Sequence, residues 1–413
     1  MNDWRFRERF SEWLTEVGAR TESIPYLIDA YCQFMSDEGF GIYRCNLLTS
    51  TIHPQMTAMR HVWFREASDA GPIDSNVFVN RRQYLIGEAM IDEVFFKPAG
   101  HQNPQFKASP FYRIETEGEL YEPIDSSSGS HPYPLFDELA AKGCTGYFGI
   151  LLRSFAGMLQ MMGLATTSPN GLAKEEIDEL RWSLGMLSLH LNTLIESSIK
   201  NTLVEVYLGR DPGQRVSKGM IAAGNVVGLE GAIWFSDIRD FTKASESMDA
   251  ESLVKMLNDY FTAVVGTIYD QGGEILKYIG DAILAIFPSD KFPGPSESCR
   301  AALDAAAVAQ SRLDALNEER ERRGLAAINH GIGLHFGKAQ YGNIGGAERL
   351  DFTLIGREVN IAWRIEGLTK PLEERLLCSQ PFTEESGTDM ELLGEFDLKG
   401  IKEKMAVYRP ADQ

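Results

Sequence analysis

Apolar residues fall near helical spacing from Trp4 to Met35, through Phe6, Phe10, Trp13, Leu14 and Val17, and the pattern changes to a strand over Gly39–Leu48. Short apolar runs follow, separated by polar stretches with glycine and proline, of which Asp125–Pro134 (DSSSGSHPYP) predicts an exposed loop. The most apolar stretch, Gly146–Ala165, approaches the length of a membrane span. It is interrupted by Arg153, Gln160 and the glycines at 146, 149, 157 and 163, and an arginine near a bilayer centre costs about 2.5–3.5 kcal/mol. Two buried strands joined near Arg153–Gly157 fit it better. A turn signal, SPNG, then precedes an acidic helix opening, AKEEIDEL. Strands enclosed by helices at both ends predict an α+β sensor module over residues 1–172.

A helix from about Lys174 to Leu208 sets Leu180, Leu184, Leu187, Leu191, Leu194, Ile199 and Val206 at spacings of mostly three or four. Such a stripe suits pairing with a second copy or packing on its own domain, and residues 173–210 are read as a connecting and dimerisation helix. Residues 211–228, rich in glycine and charge, read as a junction. From Ala232 the pattern changes again. AIWFSDIRDFT is a buried strand that runs into Asp237, followed by a helix from about Phe241 carrying Leu253, Leu257, Phe261 and Val265 and ending at Gln271-Gly272-Gly273. EILKYIGDAILAIF then predicts a strand, a tight turn at Gly280-Asp281 and a second strand.

Strand, helix and hairpin in this order form the first half of a ferredoxin-like βαββαβ unit, in which the hairpin tip lies beside the end of the first strand. Asp237 and Asp281 are expected to meet there. Two carboxylates brought together repel, so they bind a cation or raise a pKa, and a divalent-metal pair is the natural role. Either aspartate alone would read as a cap or turn residue.

Composition narrows the field. The 413 residues suffice for two to three domains, and 44% hydrophobic with 24% charged residues excludes a mainly disordered chain. A net charge of −19 argues against non-specific nucleic-acid binding and anionic membranes. Cys32, Cys45, Cys144, Cys299 and Cys378 are scattered without a CxxC pair, which fits a reducing compartment and offers no zinc site by spacing. The start, Met1–Arg9, is charged and lacks the apolar stretch of a signal peptide, so a cytoplasmic protein without a membrane span is expected.

FSDIRDFT, LKYIGDAILAIF, GIGLHFGKAQYGNIG and FTLIGREVNIAWRIE match in order and spacing the motifs of class III nucleotide cyclases, the adenylyl and guanylyl cyclase homology domain. The resemblance covers about residues 229–409, so 229–413 is read as the catalytic domain, and residues 211–228 are similar to the short transducing element that precedes many such domains. It implies that Asp237 and Asp281, with the Ile238 carbonyl, bind two magnesium or manganese ions. One ion would acidify the ribose 3′-hydroxyl and the other would hold the β- and γ-phosphates. The amides of Phe241 and Thr242 would cap phosphate oxygens, beside the Gly280 turn. Asn360 would orient the ribose, Arg364 would neutralise charge on the α-phosphorus, and Lys399 would face the terminal phosphates. The N-terminal arrangement looks like a GAF domain, a small-molecule or interaction module; nothing in it says what is sensed.

Lys277 matches the lysine that donates to adenine N1. Its partner position, aspartate in many adenylyl cyclases, is Thr353 here, as in one bacterial and bicarbonate-responsive subgroup. A threonine hydroxyl accepts from the adenine N6 amine but also donates, so it rejects guanine less firmly than aspartate. Guanylyl cyclases usually place glutamate and cysteine at these positions, and neither is present, so ATP is favoured. In this family the site lies between two cyclase domains, so the resemblance implies a homodimer with two equivalent sites. The reading is therefore an adenylyl cyclase converting ATP to 3′,5′-cyclic AMP and pyrophosphate, under control of the N-terminal module. A guanylyl or relaxed-specificity cyclase and a catalytically silent scaffold are the alternatives. His330 and His335 are read as structural.

Overall fold

The structure, a computed structural model, describes residues 3–411 apart from 54–55, 70–77, 97–103, 129, 153, 155–156, 221–223, 225 and 347–348. The chain divides into two compact units, Met1–Leu203 and Val204–Gln413.

In the first unit the opening helical pattern becomes two helices, α1 (Asp3–Glu16) and α2 (Ile24–Asp37), interrupted around Gly18 and restarted by Pro25 in the first turn of α2. The strands are β1 (Ile42–His53), β2 (Met56–Phe64), β3 (Phe78–Ile86) and β4 (Ala89–Phe96). After α3 (Pro104–Lys107) and α4 (Pro110–Glu117) come β5 (Glu119–Pro123), α5 (Pro134–Ala141), β6 (Gly146–Leu151) and β7 (Gln160–Thr166). They form one sheet in the order β3-β4-β2-β1-β7-β6-β5, antiparallel throughout. The apolar stretch at 146–165 is thus two paired, buried strands; Arg153, Phe155 and Ala156 of their connection lie outside the described residues. Among the described residues no helix is long and apolar enough to cross a membrane.

The long helix α6 (Lys174–Leu208) closes the core of this unit. Leu180, Leu184, Leu187 and Leu191, each at most 1% exposed, join Phe6, Phe10, Leu27 and Tyr31 there. Burying each leucine is worth about 1.5–3 kcal/mol. These four leucines are taken up by the core of their own unit, the packing alternative for the stripe. Leu194 and Ile199 pack partly on the same core, while Leu189, Val206, Tyr207 and Leu208 remain exposed.

The second unit contains α7 (Arg210–Ser217), β8 (Val226–Ile238), α8 (Phe241–Ser247), α9 (Ala250–Asp270), β9 (Glu274–Ile279), β10 (Ala282–Pro288) and α10 (Pro295–Arg322). These are followed by β11 (His330–Gly346), β12 (Arg349–Ile355), α11 (Arg357–Leu368), β13 (Leu376–Ser379), α12 (Gln380–Ser386), β14 (Met390–Phe396) and β15 (Met405–Pro410). The sheet order is β14-β15-β13-β11-β8-β10-β9, with β12 pairing β11. Its central antiparallel strands, β11-β8-β10-β9, have the ferredoxin-like arrangement. β8 reads as a continuous apolar run because both faces are covered. Ala232 and Trp234 face a core with α9 and α10, and Ile233 and Phe235 face one with α11.

The helix expected from Phe241 is two helices. Met248 is extended, and Asp249 caps α9 by accepting the Ser252 amide at 2.9 Å. On the other face α11 lies directly on β11 at two glycines. A Cβ at Gly333 would come within 2.4 Å of the Glu366 amide nitrogen and 2.5 Å of the Ala362 carbonyl, and one at Gly331 within 2.1 Å of the Thr369 hydroxyl.

Candidate active site

β8 delivers Asp237 near its C-terminal end, and the β9–β10 hairpin delivers Asp281 at its tip, where Gly280 takes φ +67 to turn the chain. Pairing of Ile283 with Ser236 sets the hairpin tip against that strand end. The Ile238 amide is 3.1 Å from Asp237 Oδ1 and 3.2 Å from Asp281 Oδ2, so one N–H serves both carboxylates. Burial, then the neighbouring Asp281 carboxylate, pushes Asp237 up to about 7. Glu366 of α11 lies within their field and rises to about 8, chiefly through burial and next through Asp237.

These groups open into a cleft of about 360 Å³ lined by Asp237, Ile238, Asp281, Phe241, Thr242 and Glu366, with Arg239, Lys243 and Lys370 among its cations. Its size is in the range of small-molecule sites. The first α8 amides bonded within the chain are those of Lys243 and Ala244, to the Asp240 carbonyl, which leaves Phe241 and Thr242 to open the helix at the cleft. Asp240 itself sits at φ +58, and its carboxylate accepts from Lys370 (2.9 Å) and Lys243 (3.0 Å). These lysines hold it below the usual carboxylate range.

The donor set fits a hard divalent cation. Among the described residues no three His, Cys, Asp or Glu side chains converge on one point. An ion here would be held by two carboxylates and the Ile238 carbonyl, with water or phosphate oxygens completing its shell. That is the mode in which magnesium is usually bound.

The remaining predicted residues do not line this cleft. Asn360 and Arg364 share one face of α11. Asn360 is exposed and donates to the Gly356 carbonyl (3.4 Å). The Arg364 guanidinium lies 4.1 Å over the Trp363 ring, and its buried Nε has no hydrogen-bond partner. Thr353 is half-buried on β12, Lys277 is on β9, and Lys399 is exposed before the Gly400 turn. Lys277 pairs with Asp351, two residues before Thr353. Asp351, Glu366 and Lys370 are residues that sequence reasoning missed. The period of two along β12 and the WRIE run of α11 carried faint signals for the first two.

Both histidines are structural. His330 Nδ1 lies 3.3 Å from the Tyr260 hydroxyl, and burial pushes the His330 pKa down to about 3, so it stays neutral. His335 Nε2 donates to Glu358 (2.6 Å), while its Nδ1 lies 2.7 Å from the Ser379 hydroxyl, fixing the first turn of α11 to β11.

The adenylate and guanylate cyclase catalytic domain family matches residues 230–409. This segment is a class III cyclase catalytic domain. An adenylate cyclase of Anabaena cylindrica is 41% identical over 152 residues, covering 36% of this chain and 29% of that protein. The terminal-differentiation-specific adenylate cyclase of Dictyostelium discoideum is 34% identical over 185 residues, covering 44% of this chain and 8% of that protein. The chain therefore spans less than a third of either relative. The solved structure of the adenylyl cyclase CyaB from P. aeruginosa is 27% identical, covering 46% of this chain and 97% of that one, with a TM-score of 0.43. The cyclase domain lies wholly within the second unit.

Proposed function

We propose that the chain is an adenylate cyclase, converting ATP to 3′,5′-cyclic AMP and pyrophosphate at sites shared between two copies, with the N-terminal unit as regulator. The observation that carries the reading is the meeting of Asp237 and Asp281 over one amide, in a cleft whose rim is cationic. In the reaction the ribose 3′-oxygen bonds to the α-phosphorus, the bond to the pyrophosphate oxygen breaks, and the 3′-hydroxyl proton is lost. Asp237, Asp281 and the Ile238 carbonyl would hold divalent cations. Bound there, such cations lower the pKa of a coordinated hydroxyl and neutralise phosphate charge. Phe241 and Thr242 present amides to phosphate oxygens, and Lys399 is assigned to the terminal phosphates. Asn360 is assigned to the ribose, and Arg364 to the charge that grows on the α-phosphoryl oxygens.

A shared site is supported by the division of these groups. The carboxylates line the cleft, whereas Asn360, Arg364, Lys277 and Thr353 lie elsewhere on the same domain. Arg364 has an unpartnered Nε, and Tyr278, Ile279, Ile344, Leu350, Ile355 and Trp363 are exposed apolar residues on the elements that carry these groups or pair with them. Exposed apolar surface of this kind suits a second copy. ATP over GTP is supported by Lys277 and by the adenylate cyclase relatives. The test is to incubate the purified chain with ATP or GTP and manganese and identify the products by mass. Cyclic AMP as the main product is expected. Cyclic GMP in excess would reverse the base assignment, and no cyclic product from either would overturn the reading.

A further inference from the structure

Among the described residues three cations line the cleft beside Asp237 and Asp281, and one of them is committed elsewhere. The Arg239 guanidinium donates to the backbone carbonyls of Thr369 and Glu374, which fixes the chain just before Lys370. Lys243 and Lys370 remain, and both ammonium groups converge on one oxygen, Asp240 Oδ1, at 3.0 and 2.9 Å. We propose that these two lysines form an anion site for a phosphate group of the nucleotide, and that Asp240 fills it in the free protein as an internal stand-in which the substrate displaces. The proposal rests on the cyclase reading above and deepens it.

An aspartate at the residue before a helix ordinarily turns its carboxylate onto an amide of the first turn. Asp240 makes no such bond. Its backbone is left-handed, at φ +58, a conformation that aspartate tolerates better than most residues, and its carboxylate is turned to the two lysines instead. One anionic oxygen held between two ammonium groups is what a phosphate oxygen would supply there, as a charge-assisted acceptor. The bond to Lys370 spans 130 positions of sequence, so the tertiary fold, and not α8 alone, sets this arrangement. Both partners are open to water, Lys370 at 63% and Asp240 at 47%, so their pairing contributes little to stability and is readily exchanged. A triphosphate brings several negative charges where the carboxylate brings one, and it wins the exchange. Beside the lysines, Thr369 is 1% exposed, lines the same cleft, and has a hydroxyl without a hydrogen-bond partner. This wall of the cleft therefore offers a polar group that the chain itself leaves unsatisfied. When pyrophosphate leaves, the carboxylate returns to the lysines, so Asp240 weakens the hold on product as well as on substrate.

The full chain is compared with Asp240→Asn, with Lys370→Met, and with the Lys243→Met, Lys370→Met double variant carrying or lacking Asp240→Asn. The readouts are KM and kcat for ATP with manganese, pyrophosphate binding by calorimetry with magnesium, and the melting temperature. Lys370→Met is expected to raise KM about tenfold and to weaken pyrophosphate binding by a similar factor, with an unchanged melting temperature. Asp240→Asn keeps the left-handed turn and removes the charge. It is expected to lower KM and tighten pyrophosphate binding about threefold, and to lose both gains when the two lysines are absent. An indifferent Lys370→Met would overturn the proposal. So would a gain from Asp240→Asn that persists without the lysines, which would make the aspartate a source of general repulsion, or a rise in KM, which would make it a support for them. A wild-type chain that cyclises neither ATP nor GTP overturns the functional reading, and the anion site is then decided by pyrophosphate binding across the same variants.

Discussion

Asp237 is half-buried beside a second carboxylate, and its folded pKa near 7 lies above the ordinary 3.8. A group shifted upward is fully compatible with folding below its unfolded pKa, and its ionisation costs stability as pH rises through the folded value. In the metal-free protein, Asp237→Asn should therefore match wild type near pH 4 and melt at a higher temperature than wild type at pH 8. Manganese should raise the wild-type melting temperature at pH 8 and leave the variant almost unmoved. A variant that melts below wild type at pH 8 without metal would count against repulsion at this pair. The pair was legible in the sequence because each aspartate ends a run of apolar strand residues, FSD and YIGD, and one supersecondary motif brings those ends together. Asp351 was not, because its partner becomes visible only when β9 and β12 are placed in space. Glu366 was hidden for a similar reason: α11 points it back into the cleft while Arg364, two residues earlier, does not line it.

Elements show the same division between local and tertiary information. The strands around Asp237 and Asp281 follow from hydrophobic runs and turn residues. The break between α8 and α9 does not, because Leu253, Leu257 and Phe261 extend the helical pattern without a glycine or proline to interrupt it; the cap at Asp249 decides the restart. The stripe on α6 was read correctly as apolar, but its partner could not be read, since a leucine face fits a second chain or a neighbouring sheet equally well. Leu184→Ala should destabilise the first unit by about 2–5 kcal/mol through the cavity it leaves. The loss should be independent of protein concentration, and a concentration-dependent loss in denaturant titrations would restore the interchain role. At β11, Gly333→Ala places a methyl group against the α11 backbone and should cost at least about 1–3 kcal/mol as overpacking. It should lower cyclase activity with it, since α11 carries Asn360 and Arg364.

For the whole molecule, the distribution of site groups makes a genetic test possible. Asp237→Ala and Arg364→Ala should each be inactive alone. Mixed in equal amounts, they should recover about a quarter of wild-type activity, because about half of the dimers are hybrids and each hybrid holds one intact site of two when the two halves come from different chains. A mixture as inactive as its parents would place the whole site within one chain. Length suggested two to three domains and the pattern change near residue 230 marked the catalytic segment, whereas the two compact units divide at Leu203/Val204; the α+β character of the first was legible in its alternating runs. What that unit binds has no signature in its residues.

The bare backbone at Gly331 and Gly333 also bears on how a signal could reach the reaction. At Gly333 the strand lies directly against the α11 backbone, and at Gly331 the Thr369 and Glu366 side chains occupy the space a side chain would need, so α11 has no cushion of strand side chains on which to slide there. The tilt of α11 is inherited from the sheet beneath it, so the helix that carries Arg364 sits on β11 as a fixed lever and not as a hinge.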